Sequence, residues 1–271
     1  MRSILVHASD DACFEARLQA ALDLARVFDG HLTIMQTIAY DLVVPTDPYG
    51  LSAVDVSKAT MAKAEEFRGR FERRLAQEDV RWDWHAESGY EGQSLIRRAA
   101  LNDLAIVGGS SAAKDGRRGA SLAGMLAIHC RTPIMVVPEG SKGFATGEPA
   151  VLCWNGSLEA ARAMRAAVPL LQKSGTVHVL TVGEISDEVE EALPATAAAE
   201  YLERHGVECE IVELPGGKGS VPETLRKAAE MRSAGFMVMG AYGQSRLVET
   251  LFGGVTRSVL SEPPMPVLMA H

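Results

Sequence analysis

The chain has 271 residues, 47% hydrophobic and 23% charged, with a formal net charge of −8. That length is long for one ordinary domain and comfortable for two, each able to bury a core, and the composition is globular rather than disordered. The negative charge speaks against a nucleic-acid or membrane-surface binder, since both need a basic face, and no apolar run reaches the roughly 20 residues that span a bilayer. Met1-Arg2-Ser3-Ile4-Leu5-Val6 enters a strand pattern at once, which predicts no signal peptide. Cys13, Cys130, Cys153 and Cys209 are scattered without a C-x-x-C pair. They are expected to be reduced, buried thiols of a cytoplasmic protein.

In chain order, the apolar runs that predict strands in the first half are residues 4–7, 32–37, 80–85, 104–108 and 133–137. After the first run, Ala16, Ala20, Ala21, Leu24 and Ala25 form the small-residue stripe of a helix held close to a sheet, with Gly30 where the helix should stop. Residues 57–77 set Ala62, Phe67 and Phe71 among charges, the pattern of an amphipathic surface helix. Trp82 and Trp84 stand at period two, as on one face of an edge strand packed against its neighbouring helix. Residues 138–149, PEGSKGFATGEP, hold three glycines between two prolines and predict a linker, with a boundary near residue 145.

The second half repeats the series. Its predicted strands are 150–154, 177–182, 208–212, 236–240 and 266–270. Ala160, Ala161, Met164, Ala167, Val168 and Leu171 repeat the first helical stripe, Gly175 follows it, and a further helix is expected over 221–229. Short Val/Ile/Leu runs alternating with helices indicate βαβ units and a parallel sheet buried on both faces. The expected fold is α/β, two tandem doubly wound modules over 1–140 and 149–271. In such sheets ligands bind beyond the carboxyl ends of the strands, where the strand order reverses. The strand-to-helix loops therefore carry the functional signal.

The most informative loop follows the fourth strand of the second half: Gly240-Ala241-Tyr242-Gly243-Gln244-Ser245-Arg246, then Gly253-Gly254-Val255-Thr256. Its glycines leave backbone N–H groups open to a ligand, and Gly253-Gly254 stands at a predicted helix start, which suits a phosphate. The loop resembles the G-x2-G-x9-G-[Ser/Thr] signature of ATP-binding universal stress proteins, through Gly240, Gly243 and, after nine intervening residues, Gly253. The start Val151-Leu152-Cys153-Trp154-Asn155-Gly156-Ser157 and the ending Met265-Pro266-Val267-Leu268-Met269 resemble the same family in its tandem members. Gly254 stands where the family carries Ser or Thr, so Ser245 or Thr256 would have to supply that hydroxyl, and Asn155 stands where its first strand often ends in Asp.

The resemblance implies five-stranded parallel sheets in order 3-2-1-4-5, of the adenine nucleotide alpha hydrolase-like kind, with Asn155 and Gly240 facing one crevice. It further implies ATP, ADP or AMP as ligand, bound with Mg²⁺. The backbone of Gly240, Gly243, Gly253 and Gly254 would hold the phosphates and Asn155, Thr181 and Val182 the nucleoside, with Ala241, Gln244, Ser245, Val255 and Thr256 completing the nucleotide site. In the first half, Ser111 replaces the second glycine, Ala120-Ser121 stands in place of Gly253-Gly254, and Asp115 adds an unfavourable carboxylate beside Lys114, Arg117 and Arg118. That half is expected to be a structural partner, giving one ATP per chain. By the family's strand order the two fifth strands would pair antiparallel as an intrachain pseudo-dimer, with homodimerisation open in addition.

Other features read as structural. Gly216-Gly217-Lys218-Gly219-Ser220 lacks P-loop spacing, the histidines share no metal-ligand spacing, and no nucleophile stands with an evident base. The leading expectation is an ATP-binding regulatory protein of the stress response. A nucleotide-free interaction scaffold is the alternative from another class, and slow ATP hydrolysis is a third reading.

Overall fold

The computed structural model describes residues 1–38, 51–109, 122–183, 192–216, 220–242 and 253–271. The first half runs β1 (Ser3–Ala8), α1 (Phe14–Phe28), β2 (His31–Ile38), α2 (Leu51–Leu75), β3 (Arg81–Ser88), α3 (Glu91–Ala99), β4 (Leu104–Gly108), α4 (Leu122–His129) and β5 (Ile134–Val137). The second runs β6 (Ala150–Cys153), α5 (Leu158–Leu171), β7 (Val177–Val182), α6 (Ala195–Arg204), β8 (Cys209–Leu214), α7 (Val221–Met231), β9 (Phe236–Gly240), α8 (Gly253–Ser261) and β10 (Val267–Ala270). Each strand falls within about three residues of the predicted run, and the inner strands, buried on both faces, are written as continuous apolar stretches.

The strands join in one ten-stranded sheet of order β3-β2-β1-β4-β5-β10-β9-β6-β7-β8. Each half is a parallel five-stranded set in order 3-2-1-4-5, the second reversed across the sheet. At the seam β5 and β10 pair antiparallel, Val136 opposite Val267 and Ile134 opposite Met269. Successive side chains point to opposite faces. Ile4, Val6, Leu152 and Val238 pack on the face covered by α1, α2, α5 and α6, while Leu5, Val107, Val151 and Met237 pack on the face covered by α3, α4, α7 and α8.

Trp82 and Trp84 lie on β3, an outer edge of the sheet. Their indole N–H groups donate to Leu75 O at 3.2 Å and Gln36 Oε1 at 3.1 Å, and Phe67 of α2 meets Trp84 edge-on. Packing on a helix accounts for both.

Two expectations need correction. The residue that turns left-handed after α1 is Asp29, with φ 47°, and not Gly30. Gly30 serves close packing: a Cβ there would stand 3.4 Å from Ala25 Cα and from Arg2 O. Gly175 likewise is no left-handed stop; a Cβ there would meet Gly147 O at 2.9 Å. The linker is also less slack than its composition predicts. Phe144 is buried, its N–H donates to Asp23 Oδ2 of α1 at 2.9 Å, and its ring packs on Phe236 of β9 at 5.2 Å.

Candidate functional site

In the second half the strand order reverses at β6, which lies between β7 and β9. Cys153 pairs with Leu180 on one side and Met239 on the other. The chain leaving β6 therefore passes between the end of β7, with Thr181 and Val182, and the end of β9, with Gly240. Asn155 is exposed there, Thr181 is buried and Val182 half-buried. The Oδ1 atom of Asn155 accepts the Ser157 N–H at 3.2 Å, and Ser157 Oγ accepts the Ala160 N–H at 3.1 Å as the cap of α5. These two turns fix the loop that presents Asn155.

Gly240 has a packing role that its motif alone does not reveal. A Cβ on it would lie 2.6 Å from Ala160 N and 2.7 Å from Glu159 C. The missing side chain lets the first turn of α5 descend onto the strand end. Ala241, the next expected site residue, is fully buried, its N–H donates to Ala270 O at 3.0 Å, and its carbonyl accepts from His271 Nδ1 at 2.8 Å. Its N–H is taken by the end of β10 and its carbonyl by the side chain that follows. Tyr242 follows in the left-handed region at φ 48°, an uncommon state for a bulky residue and one that collects at functional loops. Burial pushes its hydroxyl up in pKa, against the nearby Arg257 charge.

Gly243, Gln244 and Ser245 lie outside the described residues. Gly253 and Gly254 open α8, Val255 is half-buried and Thr256 is buried. A Cβ on Gly254 would meet nothing within 4 Å. Because α8 joins the parallel neighbours β9 and β10, it runs opposite to them, and its N-terminus comes to the carboxyl edge of the sheet. Its first N–H groups are free of helical partners there. Thr256, turned inward, is poorly placed to stand in for the hydroxyl that Gly254 lacks.

The matching crevice of the first half has different contents. Arg17 is buried at 2% exposure; its Nε donates to His7 O at 3.0 Å, and its terminal nitrogens donate to both Asp11 oxygens at 3.0 and 2.8 Å. His7 is buried and its Nε2 lies 2.7 Å from Glu91 Oε1. That hydrogen bond holds the Glu91 carboxyl below its ordinary pKa although burial pushes the other way. Gly108 admits this group, since a Cβ would meet Arg17 Nη1 at 2.4 Å. Residues 110–121, with Ser111, Lys114, Asp115, Arg117, Arg118, Ala120 and Ser121, lie outside the described residues. Neither His7 nor Arg17 carries a motif, so only the fold brings them forward.

All four cysteines are free, and burial pushes the Cys153 thiol up to about 12. Among the described residues no group of three or more His, Cys, Asp or Glu side chains is gathered as for a metal ion. No helix among them is long and apolar enough to cross a membrane.

Compared with known sequences, the profile of the universal stress protein family matches residues 148–271. That half of the chain belongs to the universal stress protein family. A universal stress protein of Synechocystis is 26% identical over 137 residues, 50% of this chain and 46% of that protein. The chain thus matches about half the length of its curated relative. Among solved structures, a universal stress protein from Archaeoglobus fulgidus superposes with a TM-score of 0.77 at 16% identity, over 99% of this chain and 96% of that one. A functionally unknown protein from Pseudomonas aeruginosa superposes at 0.57 with 17% identity, over 100% of this chain and 92% of that one. At such identities the likeness is one of fold. It extends over both halves, so the first half has the universal stress protein architecture although the family profile matches only the second.

Proposed function

We propose that the second half binds an adenine nucleotide and that the protein is a cytoplasmic regulator of the universal stress response. The observation that carries this reading is the pairing, at one strand-order reversal, of an exposed Asn155 with a helix whose N-terminus begins Gly253-Gly254. Free N–H donors at the start of α8 suit the phosphates of ATP, ADP or AMP. Asn155, Thr181 and Val182 suit the nucleoside, with an amide and the end of an apolar strand. Gly240 contributes by bringing α5 close, while Gly243, Gln244 and Ser245 would complete the phosphate loop by their place in the motif. A Mg²⁺ ion would come with the phosphates and be held by their oxygens and water, as the described residues offer it no carboxylate cluster.

In this reading 1–140 and 149–271 are two domains, and the β5–β10 pairing supports a lasting intrachain pseudo-dimer. The filled crevice of the first half supports a structural role for it, hence one nucleotide per chain. Calorimetric titration with ATP and Mg²⁺ tests this directly. One site is expected, and Gly254→Val should weaken it by at least roughly tenfold. The urea midpoint should scarcely move, because the new side chain meets open space. Absence of nucleotide binding in the parent would favour an interaction scaffold of the same fold; two sites per chain would refute the structural role of the first half.

A further inference from the structure

We infer that Trp154, Gly156 and Leu193 form a staple that positions the nucleoside-facing rim of the second-half crevice, an inference that rests on the nucleotide reading above. Trp154 is the first residue beyond β6 and only 3% exposed. Its indole Nε1–H donates to Leu193 O at 2.9 Å. The Leu193 N–H in turn donates to Gly156 O at 3.0 Å. Two hydrogen bonds of opposite direction thus tie the loop that carries Asn155 to the segment leading into α6. A buried indole needs an acceptor, and this one finds it 39 residues away in the chain.

Gly156 makes the approach possible. It sits at φ 76°, and a Cβ would stand 2.8 Å from Leu193 O and 2.9 Å from both Ala192 Cβ and Leu193 N. Conformation and contact both exclude a side chain. Leu193 is 40% exposed, and Leu158, two residues beyond Gly156, is 54% exposed. A single exposed leucine is ordinary. Here one is fixed through its backbone by two hydrogen bonds and the other opens the adjoining helix, so two exposed leucines adjoin, across the staple and along the chain, the loop that carries Asn155. Apolar surface with one polar group suits a flat heterocyclic base and offers nothing to a phosphate.

The first half has no counterpart. Ile4 pairs with Leu32 and Leu104 as Ala150 pairs with Val177 and Phe236. By that register Ala8 stands for Trp154 and Asp10 for Gly156. The staple is confined to the half with the glycine motif.

Two variants test the assignment. Trp154→Phe removes the indole donor and keeps an aromatic ring; Leu193→Ala trims a partly exposed side chain. Affinities for ATP, adenosine and inorganic tripolyphosphate would be compared by calorimetry, and exchange of the Leu193 amide followed by NMR. Both variants should weaken ATP and adenosine by a similar factor, roughly tenfold, and leave tripolyphosphate unchanged. Trp154→Phe should also speed exchange at Leu193. Parent-like adenosine affinity in both variants overturns the staple while leaving the nucleotide reading intact. Equal weakening of all three ligands would indicate general loosening and also overturns it. A parent that takes neither adenosine nor ATP removes the nucleotide reading and the staple's role together.

Discussion

At the carboxyl end of β1 the first half places His7, Asp11 and Arg17; at the same register beyond β6 the second half places Cys153, Ser157 and Ala163. The backbones correspond strand for strand, and the side chains give the two crevices opposite contents. In the first, the guanidinium of Arg17 fills the space and is neutralised by Asp11. In the second, a small alanine and a capping serine take those positions, and Asn155 is left exposed above them. A strand-order reversal offers a crevice in every such sheet. Whether it serves a ligand or the chain's own ion pair depends on a few residues at the start of the following helix.

Substitutions at matched positions sharpen this contrast. The largest difference is expected between Asp11→Asn and Ser157→Ala. Losing the Asp11 charge weakens two charge-assisted hydrogen bonds to the buried guanidinium, which keeps only the charge of Glu91 nearby, and should cost about 3 kcal/mol, whereas Ser157→Ala removes one helix cap at about 1 kcal/mol. Urea unfolding measures both, and equal costs would mean that Arg17 finds another partner.

The matched glycines come next. Gly240→Ala forces a Cβ against the backbone of α5, which cannot easily yield, and about 2 kcal/mol is expected. Gly108→Ala meets side-chain atoms of Arg17 and Cys13 instead. These can shift, so the cost should be smaller by thermal or urea denaturation. The reverse order would show that the Arg17 ion pair is the more rigid of the two.

The smallest effect is the pH dependence that Glu91 adds in the first half. Glu91 has a folded pKa below its ordinary 4.5, through the His7 hydrogen bond and, more weakly, the His7 and Arg17 charges, against burial and Asp11. A depressed carboxyl contributes stability above its unfolded value, and that contribution is lost as pH falls through the folded value. Denaturation between about pH 6 and about pH 3 should therefore show a larger acid loss in the parent than in Glu91→Gln, in which the lowered carboxyls of Asp79, Asp103 and Glu223 keep theirs. Cys153, which takes the place of His7 in the second half, is neutral throughout that range, its thiol pushed up by burial to about 12. A parallel loss in Glu91→Gln would assign the acid sensitivity elsewhere.

The sequence by itself determined the strands, their parallel character and the repeat. A strand buried on both faces must be apolar at nearly every position, and that requirement is local. It also marked the loop after β9 and the Gly253-Gly254 helix start, since glycine motifs are contiguous. Contacts that join distant segments were decided by the tertiary structure alone. Arg17 reads in the sequence as one more charged helical residue until α1 packs over the end of β1 and buries it. Phe144 sits in a polar linker, yet it is buried because α1 and β9 together leave a site for its ring. Gly240 was legible as part of a motif, but its closeness to Ala160 depends on how deeply α5 descends onto the sheet. Trp154 and Leu193 carry no shared pattern and meet only because β6 and β7 are neighbours. Local periodicity reports what each segment buries; which group fills a given crevice depends on how the segments stack.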